Sequence, residues 1–527
     1  MNNDPAKIAA VLRSFAVYGA CIIIAIIIGV LMTNPLTYSA LGFIGLVCAV
    51  LFLPILLRHH YVLMVACWSA PMMVFFLKGD PKLCLVMIVL SLIISVTERT
   101  LNQQRFINVP SIKWSLIFLI GVVLMTAKLT GGFGLKAFGS EVYGGKKYVF
   151  LVVAILGYFA LVAQPIPAQK ARLYVTLFFL GGALGFIGDL YQIAPGFLRP
   201  LFWVFPPNMF DPDFAFGSTR LVGTGWAGAA LINVLIARYS LRGIFFTEKL
   251  WRPALFFFSI ALIFLGGFRS ALVLTGITIM IQFFLEGLHR TKLLPVFVLI
   301  GLASMAAVIP LASKLPYTFQ RTLAFLPKAI IHLSPDARLE AQGSINWRLD
   351  MWSALLPQIP KHLLLGKGYA ITMEDFQLMG QDSAFQNVTD ASQQALALSG
   401  DYHNGPLSVI LPFGIWGVFA FTWFLWAGLR IMYLNYRYSS PELKTINTFL
   451  FTIFTVASLD FVFLFGGLAD GMGQFTGLLG LSIAINRGVC RAPARPPQNV
   501  PFNIRLRRHH SHPQPALQPG TANGHPL

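Results

Sequence analysis

A histidine placed directly before an apolar run is the first candidate for chemistry in this sequence. Residues 401–406 read Asp-Tyr-His-Asn-Gly-Pro and lead into the apolar run 405–429. Asn404 is a favourable N-cap, and Pro406 suits a first helical turn. His403 then lies at the positive end of a helix dipole, which disfavours the protonated imidazole. A neutral imidazole is what a general base needs, and a solvated histidine at a helix start is the simpler alternative.

Three arginines at the ends of apolar runs suggest a site for an anion. Arg269 separates two apolar runs in a tight Gly-Gly-Phe-Arg-Ser turn, Arg220 precedes another run, and Arg348 lies in a long loop. An arginine held close to a membrane interior is costly unless it is paired. Guanidinium forks match phosphate, so the set favours a phosphate-bearing ligand. The alternatives are snorkelling of Arg269 to lipid headgroups and ordinary surface arginines.

Several familiar site signals are missing from the sequence. It contains no Walker A loop, no dinucleotide fingerprint, no HExxH and no cysteine–histidine spacing of a zinc site. Gly366-Lys367-Gly368 is too short to indicate phosphate binding, and Asp211-Pro212-Asp213 is typical of a turn. We therefore predict neither a cofactor nor a metal.

The composition sets the class of protein that must position these residues. Of 527 residues, 56% are hydrophobic and 11% are charged, and the mean hydropathy is +0.70. A soluble chain of this length could not cover its surface with so few charges, and disorder and a disulfide scaffold are excluded as well. The net charge of +19 would suggest nucleic acid in a soluble protein. Here it is better explained by basic residues on the cytoplasmic side of membrane helices.

Apolar runs long enough to cross a bilayer recur along the chain. They are 14–33, 36–57, 61–77, 82–96, 112–129, 148–163, 173–193, 224–243, 251–267, 270–286, 293–313, 405–429, 446–465 and 469–486. We predict an all-α polytopic integral membrane protein with about 12–14 transmembrane helices and one large outer loop between late helices. Most Lys and Arg fall in alternate loops, which predicts that both termini are cytoplasmic.

The same pattern divides the chain into four parts. These are N-terminal membrane helices over 1–313, a large outer loop over 314–404, C-terminal membrane helices over 405–486, and a disordered basic tail over 487–527. Within the loop, Ile345, Leu349, Trp352 and Leu356 recur at helical spacing and predict an amphipathic helix on the membrane surface. The Gln-rich segment 372–402 is predicted to be mobile.

The order of these motifs resembles the O-antigen ligase family and its O-antigen polymerase relatives. The motifs are Arg-x-x-Gly-Thr at 220–224, Gly-x-Arg-Ser at 267–270, Arg348, Trp352, Pro360, Gly-x-Gly at 366–368, and His403-Asn404 before Gly-x-x-Gly at 414–417. The resemblance covers roughly residues 215–420. It implies an inverting glycosyltransferase, independent of metal and nucleotide, in the periplasmic half of the bacterial inner membrane.

The resemblance also implies substrates and residue roles. The donor would be a glycan on undecaprenyl pyrophosphate, and the acceptor would be a lipid A–core sugar or another glycan chain. Membrane lipids would be partners, and nucleic acid would not. His403 would be the general base and Arg220 and Arg269 would hold the pyrophosphate, while substrate binding falls to Arg348, Asn404 and Lys147.

Three functions remain as alternatives at this point. A ligase is favoured over a polymerase because one outer loop dominates, whereas polymerases often show two. A polysaccharide flippase or other transporter would predict polar residues spread through the spans and a repeat relating two halves of the chain. The sequence shows neither feature clearly.

Overall fold

A computed structural model of the chain describes residues 5–31, 38–77, 79–131, 144–207, 220–370, 400 and 402–492. The predictions for the acidic turn at 211–213, most of the Gln-rich segment and most of the basic tail fall outside these residues. The described part is helical with connecting turns, and its β-structure is limited to an isolated bridge between Met73 and Lys82. The predicted all-α class is confirmed.

The described α-helices follow one another along the chain with short connections. They are α1 (Pro5–Leu31), α2 (Tyr38–Ala66), α3 (Leu83–Leu101), α4 (Pro110–Leu129), α5 (Gly145–Leu161), α6 (Ala168–Leu180), α7 (Phe186–Asp189), α8 (Leu201–Val204), α9 (Val222–Phe245), α10 (Trp251–Leu265), α11 (Arg269–Leu285), α12 (Leu294–Leu311), α13 (Tyr317–Leu323), α14 (Pro335–Leu355), α15 (Ile359–His362), α16 (Gly405–Tyr438), α17 (Lys444–Leu459) and α18 (Leu468–Asn486).

Many of these helices have the length and apolar character of membrane spans. Within the described ranges eight qualify, at Leu83–Leu101, Pro110–Leu129, Ala168–Gln192, Val222–Phe245, Leu294–Lys314, Gly405–Tyr438, Pro441–Leu464 and Leu468–Asn486. Shorter apolar helices add Val17–Val30, Val50–Ala66, Trp251–Leu265 and Arg269–Leu285. The protein is therefore a polytopic membrane protein, as its composition predicts.

One pair of predicted spans is joined in the structure. The runs 36–57 and 61–77 were predicted as separate helices, but Tyr38–Ala66 is a single helix, followed by turns from residue 67. The polar residues between the runs contain no helix breaker, and one of them packs inside the protein. His60 is 2% exposed, and its Nδ1 lies 2.9 Å from Ser91 Oγ on α3. The contact with Ser91 therefore provides a hydrogen-bond partner for His60, a residue that the hydropathy pattern places in a loop.

The C-terminal helices are the most deeply buried of the described spans. α18 packs along α5, α16 packs along α4, and α17 lies against α16, α18, α11 and α9. Large rings fill the space between them, among which Phe424, Phe449 and Phe454 are fully buried. By contrast, the apolar helix α12 buries none of its described side chains, as expected for a helix facing lipid.

The closest helix pairing brings the predicted arginine positions to one end of the bundle. α9 and α10 touch through glycines: a Cβ atom at position 225 would lie 2.8 Å from Gly266 Cα, and one at position 228 would lie 2.5 Å from Ser259 O. The Leu221 amide donates to Leu265 O at 3.2 Å, which ties the start of α9 to the end of α10. Small residues let two helix backbones approach, and here they place residues 220 and 269 on neighbouring chain segments.

Replacing Gly225 by Ala should therefore separate α9 from α10. We expect the purified G225A protein to lose about 1–3 kcal/mol of unfolding free energy in detergent, because backbone atoms oppose the new methyl group. The matched control is Gly276→Ala in α11, where nothing lies within 4 Å of the added Cβ. Equal stability of the two variants would contradict the close packing of α9 on α10.

Candidate functional site

Arg220 is positioned by the residues that begin α9. Asp189 caps this helix: its Oδ1 accepts from the Gly223 amide at 3.1 Å, and its Oδ2 accepts from the Thr224 amide at 2.6 Å. The Thr224 hydroxyl donates to the same Oδ2 at 2.8 Å. The Gly-Thr pair of the motif thus receives a carboxylate at the positive end of the helix, where an anion is favoured. Arg220 is fixed immediately before this turn.

Arg269 is positioned by the turn between α10 and α11. Gly267 has a φ of +68°, a conformation that residues with a Cβ rarely adopt. The backbone reverses there, and Arg269 becomes the first residue of α11. Its Nη1 donates to Ala341 O on α14 at 3.2 Å. The arginine therefore lies against α14 rather than being exposed alone at the membrane surface.

A carboxylate absent from the sequence-based site links two arginines. Glu340 Oε1 accepts from Arg220 Nη2 at 2.7 Å and also pairs with Arg321 Nη2. Glu340 Oε2 accepts from the Tyr317 hydroxyl at 2.7 Å. The side chains of Arg220 and Arg321 are each 13% exposed and that of Glu340 is 21% exposed. Such a mostly buried, hydrogen-bonded pair is stronger than an exposed salt bridge.

The helix that carries Glu340 also carries Arg348. Burial lowers the pKa of the Arg348 guanidinium from its ordinary value, and the positive charge of Arg269 lowers it further. Arg348 and Arg269 are therefore close enough to repel. In the described part of the chain, Arg348 Nε and Trp347 Nε1 are buried and make no hydrogen bond. A site that binds an anion can use such hydrogen-bond donors.

His403 packs against the C-terminal half of α14. Its ring centroid is 5.5 Å from that of Trp347 and 4.4 Å from that of Phe465. Its backbone φ is +47°, a left-handed conformation that is uncommon for a residue with a side chain. Trp352 Nε1 donates to the preceding carbonyl, Tyr402 O, at 2.8 Å. Neighbouring contacts thus hold the backbone of His403 in a strained conformation, a feature that is frequent at functional sites.

Asn404 has a structural role that the sequence also indicates. Its Oδ1 accepts from the Leu407 amide at 3.0 Å, which caps α16. Gly405 then packs against the carbonyl of Phe461, where a Cβ would collide. The side-chain oxygen of Asn404 is thereby engaged in the helix cap, and its predicted role in substrate binding remains untested.

The Gly366-Lys367-Gly368 loop supplies hydrogen-bond donors at a break in α16. Pro412 and Gly414 interrupt that helix, and Gly414 has a φ of +60°. The amides of Lys367 and Gly368 donate to Leu411 O at 2.8 Å and Pro412 O at 3.0 Å. These carbonyls would otherwise lack partners at the break. The glycines of this motif therefore serve backbone packing.

Lys147 belongs to the surroundings of this loop. Its Nζ lies 5.6 Å from the Tyr369 ring centroid, and the Tyr369 amide donates to Tyr148 Oη at 2.7 Å. The predicted residue thus sits beside the segment that follows Gly368. Lys147 therefore contacts Tyr369, while Arg220, Arg269 and Arg348 lie at α14.

Contacts along α14 connect four of the predicted residues. Arg220 pairs with Glu340, Arg269 bonds to Ala341, Arg348 lies on the helix itself, and His403 packs on Trp347. The helix predicted in this loop is present, although the side chains that it buries are Ala337, Ala341, Met351 and Leu355.

The sequence analysis missed two charged members of this group, Arg321 and Glu340. The carboxylate joined to Arg220 is Glu340, whereas Asp189 caps α9. The sequence feature that could have identified Glu340 is its spacing from Arg348. Glu340 precedes Arg348 by eight residues, which keeps both on one side of a helix.

Replacing Asn404 tests the helix cap beneath His403. Asn404→Ala should cost about 1 kcal/mol of unfolding free energy in detergent, because the Leu407 amide loses its acceptor. Asn404→Ser is the matched control, since a serine oxygen can cap the same amide, and it should retain most of that stability. A stable alanine variant would show that the cap contributes little.

Comparison with known protein families adds an independent finding. Residues 254–422, about a third of the chain, match the family model described as O-antigen ligase. The matched stretch holds Arg269, Arg321, Glu340, Arg348 and His403, and Arg220 lies before it. No curated protein matches the chain. This match confirms the resemblance of the chain to the O-antigen ligase and polymerase family.

Proposed function

We propose that this membrane protein transfers a glycan from undecaprenyl pyrophosphate to a lipid A–core or similar sugar at the periplasmic face of the bacterial inner membrane. The family match supports glycosyltransfer of the ligase or polymerase kind. In this proposal both termini are cytoplasmic, and the loop 314–404 with α13 to α15 is periplasmic. The basic residues of alternate loops support that orientation.

The observation that carries the proposal is the convergence of charged and aromatic groups on α14. Trp347 packs on the histidine ring, Arg348 lies close to Arg269, and Glu340 binds Arg220. One helix thereby connects a candidate base with candidate phosphate ligands. A general base and a leaving-group site must act at the same reacting carbon, so this connection favours a catalytic centre over scattered surface charges.

The reaction assigned to these groups is an inverting displacement. The acceptor hydroxyl oxygen attacks the anomeric carbon of the donor sugar, and His403 takes the hydroxyl proton. The bond from that carbon to the pyrophosphate oxygen breaks, and its electron pair leaves with undecaprenyl pyrophosphate. Arg220, Arg269 and Arg348 stabilise the negative charge that develops on the leaving group. These fixed guanidinium groups can perform the role that a metal ion has in other transferases.

A polymerase would use the same residues with a different acceptor. The acceptor would then be a second lipid-linked glycan rather than a lipid A–core sugar. The dominant single loop of this chain favours the ligase. Assays that offer each acceptor separately distinguish the two activities, and a transporter would form neither product.

His403→Ala should abolish glycan transfer by the purified protein in lipid. We expect a loss of at least about 100-fold, the usual contribution of a general base, with normal protein abundance. The control is His332→Ala, which removes an exposed histidine from the same loop and should keep full activity. Full transfer by the H403A protein would remove His403 from the mechanism.

Arg269→Gln should slow transfer by about 100- to 1,000-fold, because the developing charge on pyrophosphate loses a fixed donor. Arg269→Lys should recover only part of the rate, since an ammonium group lacks the guanidinium fork. The exposed Arg199 provides the control, and R199Q should transfer normally. If R269Q and R199Q were equally active, Arg269 would not contact the leaving group.

A further inference from the structure

We propose that Arg220, Arg321 and Tyr317 form an anion-binding site whose internal occupant is the Glu340 carboxylate, and that the pyrophosphate of the donor displaces this carboxylate when it binds. The inference rests on the proposed function for the identity of the donor. It adds Arg321 and Tyr317 to the binding residues, and it gives Glu340 the role of a competitor for the arginines.

The geometry around Glu340 is that of a bound oxyanion. Each carboxylate oxygen is engaged: Oε1 contacts guanidinium groups of Arg220 and Arg321, and Oε2 accepts from the Tyr317 hydroxyl at 2.7 Å. The two arginines belong to different chain segments, one before α9 and one in α13. Both side chains pass over Gly267, where a Cβ would lie 3.8 Å from Cδ of each. The two arginine side chains therefore meet over the turn that precedes α11.

The charges near Glu340 are unbalanced. Arg220 and Arg321 touch its single carboxylate, while Arg269 is attracted by Glu340 and repelled by Arg220. The positive charge of Arg269 in turn disfavours the charged form of Arg348 and lowers its pKa, in addition to the effect of burial. Among the residues that the structure describes, one negative charge therefore faces four positive charges in this group of side chains. A pyrophosphate diester carries two negative charges and more acceptor oxygens, so it satisfies the guanidinium donors better than Glu340 does.

Exchange of the two anions also changes the contacts that hold α14. Glu340 and Arg348 are on the same helix, and Ala341 O holds Arg269 through one hydrogen bond of 3.2 Å. Release of Glu340 from Arg220 and Arg321 frees one end of this helix, whereas Trp347 and Trp352 keep the other end against His403 and Tyr402. Donor binding is thereby coupled to the position of Arg348 relative to the candidate base.

The test measures binding of inorganic pyrophosphate to the purified full-length protein in detergent at constant ionic strength. Glu340→Gln keeps the shape of the side chain and removes its charge, so it should bind pyrophosphate at least about tenfold more tightly than the wild type. Asp350→Asn is the matched control, because it removes an exposed carboxylate from the same helix and should leave the affinity unchanged. Arg321→Gln should weaken binding, both alone and combined with E340Q.

A second variant covers the case in which E340Q fails to fold. Glu340→Asp keeps the negative charge and shortens the side chain by one methylene, so the carboxylate reaches its partners less well and we expect roughly two- to threefold tighter pyrophosphate binding. Unchanged or weaker affinity in the folded Glu340 variants, or no pyrophosphate binding by any of the proteins, would overturn the proposal. Glu340 would then have only a structural role, in which it pairs with Arg220 and Arg321. Glycan transfer is measured separately. Absence of transfer with the predicted pyrophosphate affinities would reject the glycosyltransferase and keep the anion exchange.

Discussion

Arginines that bind one anion must be held close together although their charges repel. In this protein the repulsion is offset by Glu340, which pairs with Arg220 and Arg321. The carboxylate sits on α14, so the ion pairs attach that helix to Arg220 before α9 and to Arg321 of α13. The hydrogen bond from Arg269 to Ala341 O attaches it to the start of α11. The close glycine contacts of α9 with α10 bring Arg220 and Arg269 to adjacent chain segments. The helix packing of this region therefore follows from the need to collect and neutralise positive charge.

A second constraint acts at His403, whose backbone adopts a left-handed conformation. Strain of this kind persists only where neighbouring contacts outweigh it. Here Trp352 holds the preceding carbonyl and Asn404 caps the following helix. Farther along α16, the loop at 366–368 supplies amides to the carbonyls left at the Pro412 break. Loop and membrane helices thus form one hydrogen-bonded framework around the candidate base.

The net charge of +19 has two different origins in this framework. Most basic residues lie in alternate loops, where they follow the positive-inside pattern and carry no chemistry. A few arginines lie at helix starts and on α14, partly buried and close to one another. Burial and proximity make these few costly to keep, and we therefore propose them as part of a functional site.

The class of this protein and part of its candidate site follow from the amino-acid sequence alone. Hydropathy predicts an all-α membrane protein because the bilayer demands long apolar helices, and local chemistry predicts the Asn404 cap and the arginines at the ends of apolar runs. Only the tertiary structure decided which carboxylate meets those arginines, that Arg321 joins them, and that α2 runs unbroken through Arg58-His59-His60. Pairings between residues far apart in the chain depend on how helices pack, and helical spacing shows only which residues share a face.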